Sequence, residues 1–207
     1  FGKISIVSIP IVRQISVFKD LKCLFHLVFI LLKGKFTLVH SVSPKAGLLA
    51  AMSAYIVRVP VRIHSFTGQV WATKSGFKRL VLKCADTLIC LLSTKVLIDS
   101  KSQREYLLTQ NVVKSDNSLV LAQGSISGFD KERFSPNLSA RKMLRDSLKI
   151  NPADYVVLFV GRMTAEKGLF DLVHAFISVA SQHENVTLFI VGPDEEGISS
   201  DLKVNLG

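Results

Sequence analysis

"VLFVGRMTAEKGLFDL", residues 157–172, runs from an apolar stretch through a glycine and two cations into a helical pattern. The stretch "YVVLFV" at 155–160 reads as a buried strand. Beyond the turn, Leu169, Leu172, Val173, Phe176 and Ala180 fall on one helical face, so a helix reaching about Gln182 is expected to lie on the sheet. A second strand, "VTLFIVG" at 186–192, follows it. Strand, helix and strand at this spacing predict a parallel α/β unit.

The same alternation extends towards the N-terminus. "KISIVSI" (3–9), "FTLVHS" (36–41), "VRIHS" (61–65), "KVLID" (95–99) and "SLVLA" (118–122) read as strands, with helices between them at about 17–33, 44–57, 75–92 and 101–110. Ser43-Pro44 offers an N-cap followed by the residue best tolerated at a first helical position, and Ser100 with Gln103 has capping-box spacing. The Gly/Ser-rich break "QGSISGFDKERFSP" at 123–136 reads as a junction, dividing the chain into residues 1–135 and 136–207. A basic amphipathic helix at about 138–149 opens the second part.

The chain has 207 residues, 48% of them hydrophobic, which is the composition of a globular protein with a core. It begins at Phe1, its first Met is Met52, and it stops at Gly207 after an acidic loop, so both domains are expected to be incomplete and the chain a fragment. Cys23, Cys84 and Cys90 match neither a metal-ligand spacing nor a disulfide framework, and buried free thiols in a reducing compartment are expected. The apolar stretch "LFHLVFILL" at 24–32 is too short to span a bilayer and reads as a core helix. The net charge of +10 is uneven: residues 1–135 hold 19 Lys and Arg against 7 Asp and Glu, and residues 136–207 hold 7 against 9. A basic surface of that kind attracts nucleic acid, anionic lipid or phosphorylated substrates, or is simply solvated.

In open parallel sheets, ligands bind outside the carboxyl ends of the strands, where the following helices present unpaired N–H groups and positive dipole ends. Arg162 and Lys167 occupy that position. A guanidinium grips two phosphate oxygens in a planar fork and an ammonium acts as a compact point charge, so the two suit a diphosphate. The spacing is neither G-x-x-x-x-G-K-[ST] nor G-x-G-x-x-G. The competing reading is a surface turn in which Glu166 pairs with one of the cations.

"FVGRMTAEKGLFDLVHAF" resembles the donor-domain motif of the family 4 retaining glycosyltransferases, enzymes of the GT-B fold with two Rossmann-like domains and parallel sheets. "VHSVSPKAGLLAAMSAYIVRVPVRIHSFTGQVW" and "GSISGFDKERF" carry the resemblance over nearly the whole chain. They are similar to the subgroup that extends polyprenyl-diphosphate-linked glycans, among them bacterial transferases of N-acetylgalactosamine to an undecaprenyl-diphosphate-linked sugar. The resemblance implies that Arg162 and Lys167 contact the diphosphate of a UDP-sugar, with Gly161 allowing close backbone approach. It implies that His64, at the end of "VRIH", approaches the donor sugar, where a lone histidine would otherwise read as a core or capping residue. His40 ends a strand too, and there the structural and functional readings stand equal; His26, His174 and His183 receive no role.

On the acceptor side, Lys45 and Gly47 of "SPKAG" lie in a first helical turn that favours anions, and Lys45 is a candidate for the acceptor diphosphate, against a merely solvated lysine. Thr67 and Gly68 of "FTGQVW" are candidate acceptor contacts in a loop at the cleft, while Trp71 either joins them or packs against the domain. Family members commonly carry "NGVD" where Ser127-Gly128-Phe129-Asp130 stands; Gly128 retains access to positive φ and Asp130 a local cap, while any contact needing the amide is lost.

The resemblance implies transfer of a sugar, an N-acetylhexosamine, from a UDP-sugar to a polyprenyl-diphosphate-linked acceptor, with retention and without a metal or other cofactor. "DEE" at 194–196 reads as a solvated loop rather than a metal site. It also implies a cytoplasmic protein held peripherally on the inner face of the cell membrane through its basic N-terminal part, and a chain inactive by itself for want of an acidic donor motif. A noncatalytic scaffold of the same fold is the alternative. A nucleic-acid-binding module rests on charge alone, since no RNP-like aromatic cluster, zinc-finger spacing or helix-turn-helix is present.

Overall fold

The computed structural model describes residues 4–12, 16–125 and 127–200. The chain forms two compact units, Phe1–Phe129 and Asp130–Gly207. In the first, the order is α1 (Val17–Gly34), β1 (Leu38–Ser41), α2 (Pro44–Ile56), β2 (Val61–Phe66), a 3-10 turn (Val70–Thr73), α3 (Gly76–Leu92), β3 (Lys95–Ile98), α4 (Lys101–Thr109) and β4 (Ser118–Leu119). The strands pair in parallel in the order β1-β2-β3-β4, with His40 beside Ile63 and Ser41 beside His64. Helix α2 packs on β1 and β2 and is flanked by α1 and α3. Phe66, Trp71, Val96, Ile98, Leu107 and Val113 form the main core, which closes the sheet against the 3-10 turn and α4.

Local chemistry sets the helix starts. Ser43 is the N-cap of α2 and Pro44 fills its first turn, but the Ser43 side chain makes no capping bond. Ser100 does cap α4, accepting the Gln103 N–H at 3.1 Å, while the Gln103 side chain accepts from Asp99 N–H rather than from Ser100 itself.

The second unit consists of α5 (Leu138–Ser147), β5 (Tyr155–Val160), a 3-10 turn (Ala165–Lys167), α6 (Leu169–Ala180) and β6 (Val186–Val191). Strands β5 and β6 are parallel and in register from Tyr155–Val186 to Val160–Val191. Leu169 and Val173 of α6, with Ile198, are its buried centre, and Leu172 packs beside them as the helical face predicts.

Several expectations give way. Residues 4–9 of the predicted first strand are irregular, while 1–3 lie outside the described residues. Strand β5 is not buried: Tyr155, Leu158 and Val160 are exposed, because among the described residues its sheet has two strands. Helix α1 is no core helix, since it buries Cys23 and Leu31 but exposes Phe25, Phe29 and Leu32. Cys84 is an exposed thiol, unlike Cys23 and Cys90. Positive φ in the junction falls to Gly124 and Ser125, not Gly128, whereas Asp130 does cap locally, accepting from Glu132 and Arg133 N–H. Among the described residues no helix is long and apolar enough to cross a membrane.

Candidate functional site

In the second unit, Gly161 and Gly192 follow paired strand ends. Gly161 N–H donates to Val191 C=O at 3.0 Å, and a Cβ on Gly192, whose φ is +152°, would meet the Gly161 carbonyl. Only glycine there lets the two strand ends close together. The register then continues past the strands to a bridge between Met163 and Asp194. This carries the "DEE" loop alongside the turn that holds Arg162 and Lys167.

All three of those carboxylates are engaged. Asp194 accepts from the Ser199 side chain and N–H and from Ile198 N–H, and these bonds, those of Ser199 foremost, hold its carboxyl below the usual range. Glu195 pairs with Arg162, Oε2 to Nη1 at 2.7 Å, and Glu196 accepts the Ala165 N–H at 3.0 Å. The loop is therefore not merely solvated, and the partner of Arg162 is Glu195, not Glu166. Thr164, between these contacts, is buried and its Oγ1 has no partner. Lys167 ends the 3-10 turn, exposed, just before Gly168 and α6. The turn thus has a cation and a backbone N–H that already hold carboxylates, which is the chemistry an anion site needs.

In the first unit, His64 is fully buried. Its Nδ1 lies 2.9 Å from Ser41 Oγ, its ring meets Phe66 edge-on at 4.6 Å, and its Nε2 has no partner. Burial, with the neighbouring charge of His40 behind it, pushes its pKa down to about 4, so it is neutral at pH 7. Gly47 explains the close fit: a Cβ there would stand 2.5 Å from His64 Cε1. Gly47 is thus a spacer for the His64 ring inside α2. His40 sits on the opposite side of the alternation, with Nε2 2.7 Å from Ser65 Oγ.

Lys45 is not a solvated lysine. Its Nζ pairs with Asp20 at 2.7 Å and donates to Val12 C=O at 2.8 Å. Thr67 and Gly68 are exposed in the loop after β2, with open space around Gly68. Trp71 is buried: it stacks on Tyr106 and donates Nε1–H to Asp86 at 2.8 Å, with Arg79 and Lys83 over its ring. It packs against the domain and cannot serve as a surface contact. The structure thus brings Ser41, Gly47 and His64 together in one unit, and Gly161, Arg162 and the acidic loop in the other. Ser41, Thr164, Glu195 and Glu196 escape a reading by motif, although the parallel register of β5 and β6 points to the last two.

Residues 140–204 match the family of glycosyl transferases group 1. The match covers the turn with Arg162 and Lys167 and the acidic loop beside it. Over 193 residues the chain is 32% identical to the capsular polysaccharide biosynthesis glycosyltransferase CapM of Staphylococcus aureus, covering 93% of this chain and 50% of that protein. It is 26% identical over 195 residues to the UDP-Gal:alpha-D-GlcNAc-diphosphoundecaprenol alpha-1,3-galactosyltransferase of Escherichia coli, covering 93% and 49%. The chain spans about half the length of these relatives. Its fold resembles that of HepE from Anabaena, solved in complex with UDP, with a TM-score of 0.70 at 18% identity over 89% of this chain and 47% of that one. The architecture is part of a GT-B fold, with parallel sheets in both units.

Proposed function

We propose that the complete protein is a retaining glycosyltransferase that moves a sugar, an N-acetylhexosamine, from a UDP-sugar to a polyprenyl-diphosphate-linked saccharide. The observation that carries this reading is the turn after β5, where Arg162 holds one carboxylate and the Ala165 N–H another. A donor diphosphate offers negative charge to the same groups. Negative charge grows on the departing diphosphate in the transition state, and a fixed donor aimed there lowers the barrier by about 3 kcal/mol. Arg162, Lys167 and the backbone at Gly161 take that role in this reading.

His64, neutral at pH 7, supplies the sugar-facing side in the first unit. As it stands the ring is covered, so a sugar meets it only when that cover moves. Lys45 and Gly47, with Thr67 and Gly68 in the exposed loop, form the acceptor side, Gly47 acting through the position of His64. The reading needs no metal or other cofactor, because cations and N–H groups carry the charge. The name of the E. coli relative supports both UDP as the nucleotide and a diphosphoundecaprenol-linked acceptor. The basic excess of residues 1–135 suits the anionic inner face of the cell membrane, where each cation contributes about 1 kcal/mol. We place the protein in the cytoplasm, peripherally on that face, and assign it no nucleic-acid partner.

The test is turnover by the complete protein with a panel of UDP-sugars, UDP-galactose included, and a polyprenyl-diphosphate-linked acceptor, with products read by mass. An N-acetylhexosamine mass increment, retention at the transferred carbon by NMR and full activity in a chelator are expected. Inversion, or activity restored only by a divalent ion, refutes the corresponding part. No product from any donor, with UDP still bound, favours a noncatalytic scaffold.

A further inference from the structure

Strands β1 and β2 carry two Ser–His pairs, one on each face. Ser41 and His64 are register partners, and Ser41 Oγ lies 2.9 Å from His64 Nδ1. Successive side chains of a strand point to opposite faces, so His40 and Ser65 meet on the other side, Nε2 to Oγ at 2.7 Å. The two pairs are chemically alike and differ in burial. His40 is exposed, and water can serve its second nitrogen in either tautomer. His64 is fully buried and its Nε2 has no partner, so there the tautomer decides what the ring can offer a ligand.

The His64 ring is held against turning. Phe66 meets it edge-on, and a Cβ on Gly47 would stand 2.5 Å from Cε1 and 2.8 Å from Nδ1 but 3.6 Å from Nε2. The Nδ1 edge is thus fixed between α2 and Ser41. Being neutral at pH 7, the imidazole has one N–H and one lone pair. If Nδ1 carried the hydrogen, it would donate to Ser41, and both the Ser41 hydroxyl hydrogen and the buried Nε2 lone pair would need acceptors and donors that the described residues do not supply. If Ser41 donates instead, only the Nε2–H is left over. A buried polar group without a partner is destabilising, so one such group is favoured over two.

We infer that Ser41 is a positioning residue, whose hydroxyl donates to His64 Nδ1 and holds the ring as the Nε2–H tautomer, so that His64 offers a sugar oxygen a hydrogen-bond donor and not a base. The bond made at one ring nitrogen sets the state of the other. An Nε2–H binds a ring, hydroxyl or acetamido oxygen without removing a proton, whereas a bare Nε2 would repel the lone pairs of a ring or carbonyl oxygen. That the oxygen belongs to the transferred sugar rests on the proposed function; the tautomer and its dependence on Ser41 do not.

The experiment is NMR of the complete protein with isotopically labelled histidine, the His64 signals being assigned by their loss in His64→Asn, with turnover and UDP binding measured alongside. Expected in the parent is a hydrogen on Nε2 and none on Nδ1. Ser41→Ala should mix the two tautomers, lower kcat about 2- to 12-fold, the span of one neutral hydrogen bond, and leave UDP binding unchanged. Ser41→Thr keeps the hydroxyl on a residue suited to a strand and should restore both the tautomer and kcat. Ser65→Ala breaks the matching bond on the other face and should leave the His64 signals and kcat as in the parent. A hydrogen on Nδ1 in the parent overturns the inference whether or not any variant folds. So do parent-like His64 signals in folded Ser41→Ala, a kcat loss that Ser41→Thr does not restore, or an equal loss in Ser65→Ala. Mixed tautomers with unchanged kcat remove His64 from the sugar, and with it that part of the proposed function, while Ser41 still fixes the ring. The expected parent spectrum without transfer from any donor sinks the transferase and spares the tautomer.

Discussion

Replacing Glu195 by Gln removes the anion that Arg162 now holds, and the geometry bounds what that is worth. The pair is short, 2.7 Å, but its side chains keep 43% and 40% of their surface, which places it among exposed ion pairs. Such pairs contribute about 0.2–1 kcal/mol and are screened by salt. Where a donor diphosphate takes the place of Glu195 at Arg162, Glu195→Gln is expected to bind UDP about 1.4- to 5-fold more tightly, at 1.4 kcal/mol per tenfold. Arg162→Ala instead removes charge-assisted hydrogen bonds worth about 1.5–3 kcal/mol, hence binding about 10- to 150-fold weaker. Isothermal titration of UDP into the complete protein and both variants reads these directly, and raising the salt should shrink the Glu195→Gln gain. UDP bound as tightly by Arg162→Ala as by the parent refutes the anion site. If Glu195→Gln weakens binding, Glu195 positions Arg162 rather than competing for it.

Three further outcomes follow from the first unit. Gly47→Ala sets a Cβ 2.5 Å from the buried His64 ring, an overpacking that costs about 1–3 kcal/mol, so the melting temperature should fall and turnover with it; an unchanged pair of values removes Gly47 as a spacer. Burial raises Asp86 from 3.8 to about 6 against the Trp71 hydrogen bond, while burial and His40 lower His64 from 6.5 to about 4. Asp86 therefore contributes stability below 3.8 that is lost as pH rises through 6, and His64 contributes stability above 6.5 that is lost as pH falls to 4. Each swing is about 3 kcal/mol and they oppose one another, so Asp86→Asn should expose the His64 loss and make urea-measured stability fall more steeply in acid than in the parent; parallel pH profiles would contradict this. Lys45→Ala should raise the acceptor KM and leave the donor KM alone, with the melting temperature reporting the separate loss of the Asp20 pair, and an unchanged acceptor KM excludes Lys45 from that role.

Elements are legible in this sequence where one physical signal dominates. Helix α6 shows its face because Leu169, Leu172 and Val173 must all reach the same sheet, and α4 shows its start because Ser100 can satisfy a backbone N–H. What periodicity cannot report is how much of an element its neighbours cover. "YVVLFV" is as apolar as any buried strand yet stands largely exposed, and "LFHLVFILL" buries a narrow stripe. Site geometry was harder to read for a related reason. Arg162 and Lys167 stand out because they follow an apolar strand directly, each beside a glycine, but the counter-charge of Arg162 lies at Glu195, near only because β5 and β6 run in register. Gly47 and His64 are likewise joined by a 2.5 Å constraint between a helix and a strand that no local spacing encodes.

Both candidate anion sites share one feature. Lys45 holds Asp20, and Arg162 holds Glu195, each at 2.7 Å, with both partners drawn from elsewhere in the chain. An unpaired cation beside a strand end or helix start would be drawn to water and lose its direction. A carboxylate partner keeps it oriented at small net cost, because an exposed pair contributes little. The more sheltered Lys45–Asp20 pair, with side chains 24% and 19% exposed, holds the Asp20 carboxyl below its usual range chiefly through the Lys45 hydrogen bond. Exchanging such a partner for a diphosphate leaves the cation in place and trades one negative charge for more than one. The resident carboxylate and the incoming ligand therefore compete for a cation that is already aimed, and their difference in charge decides the exchange.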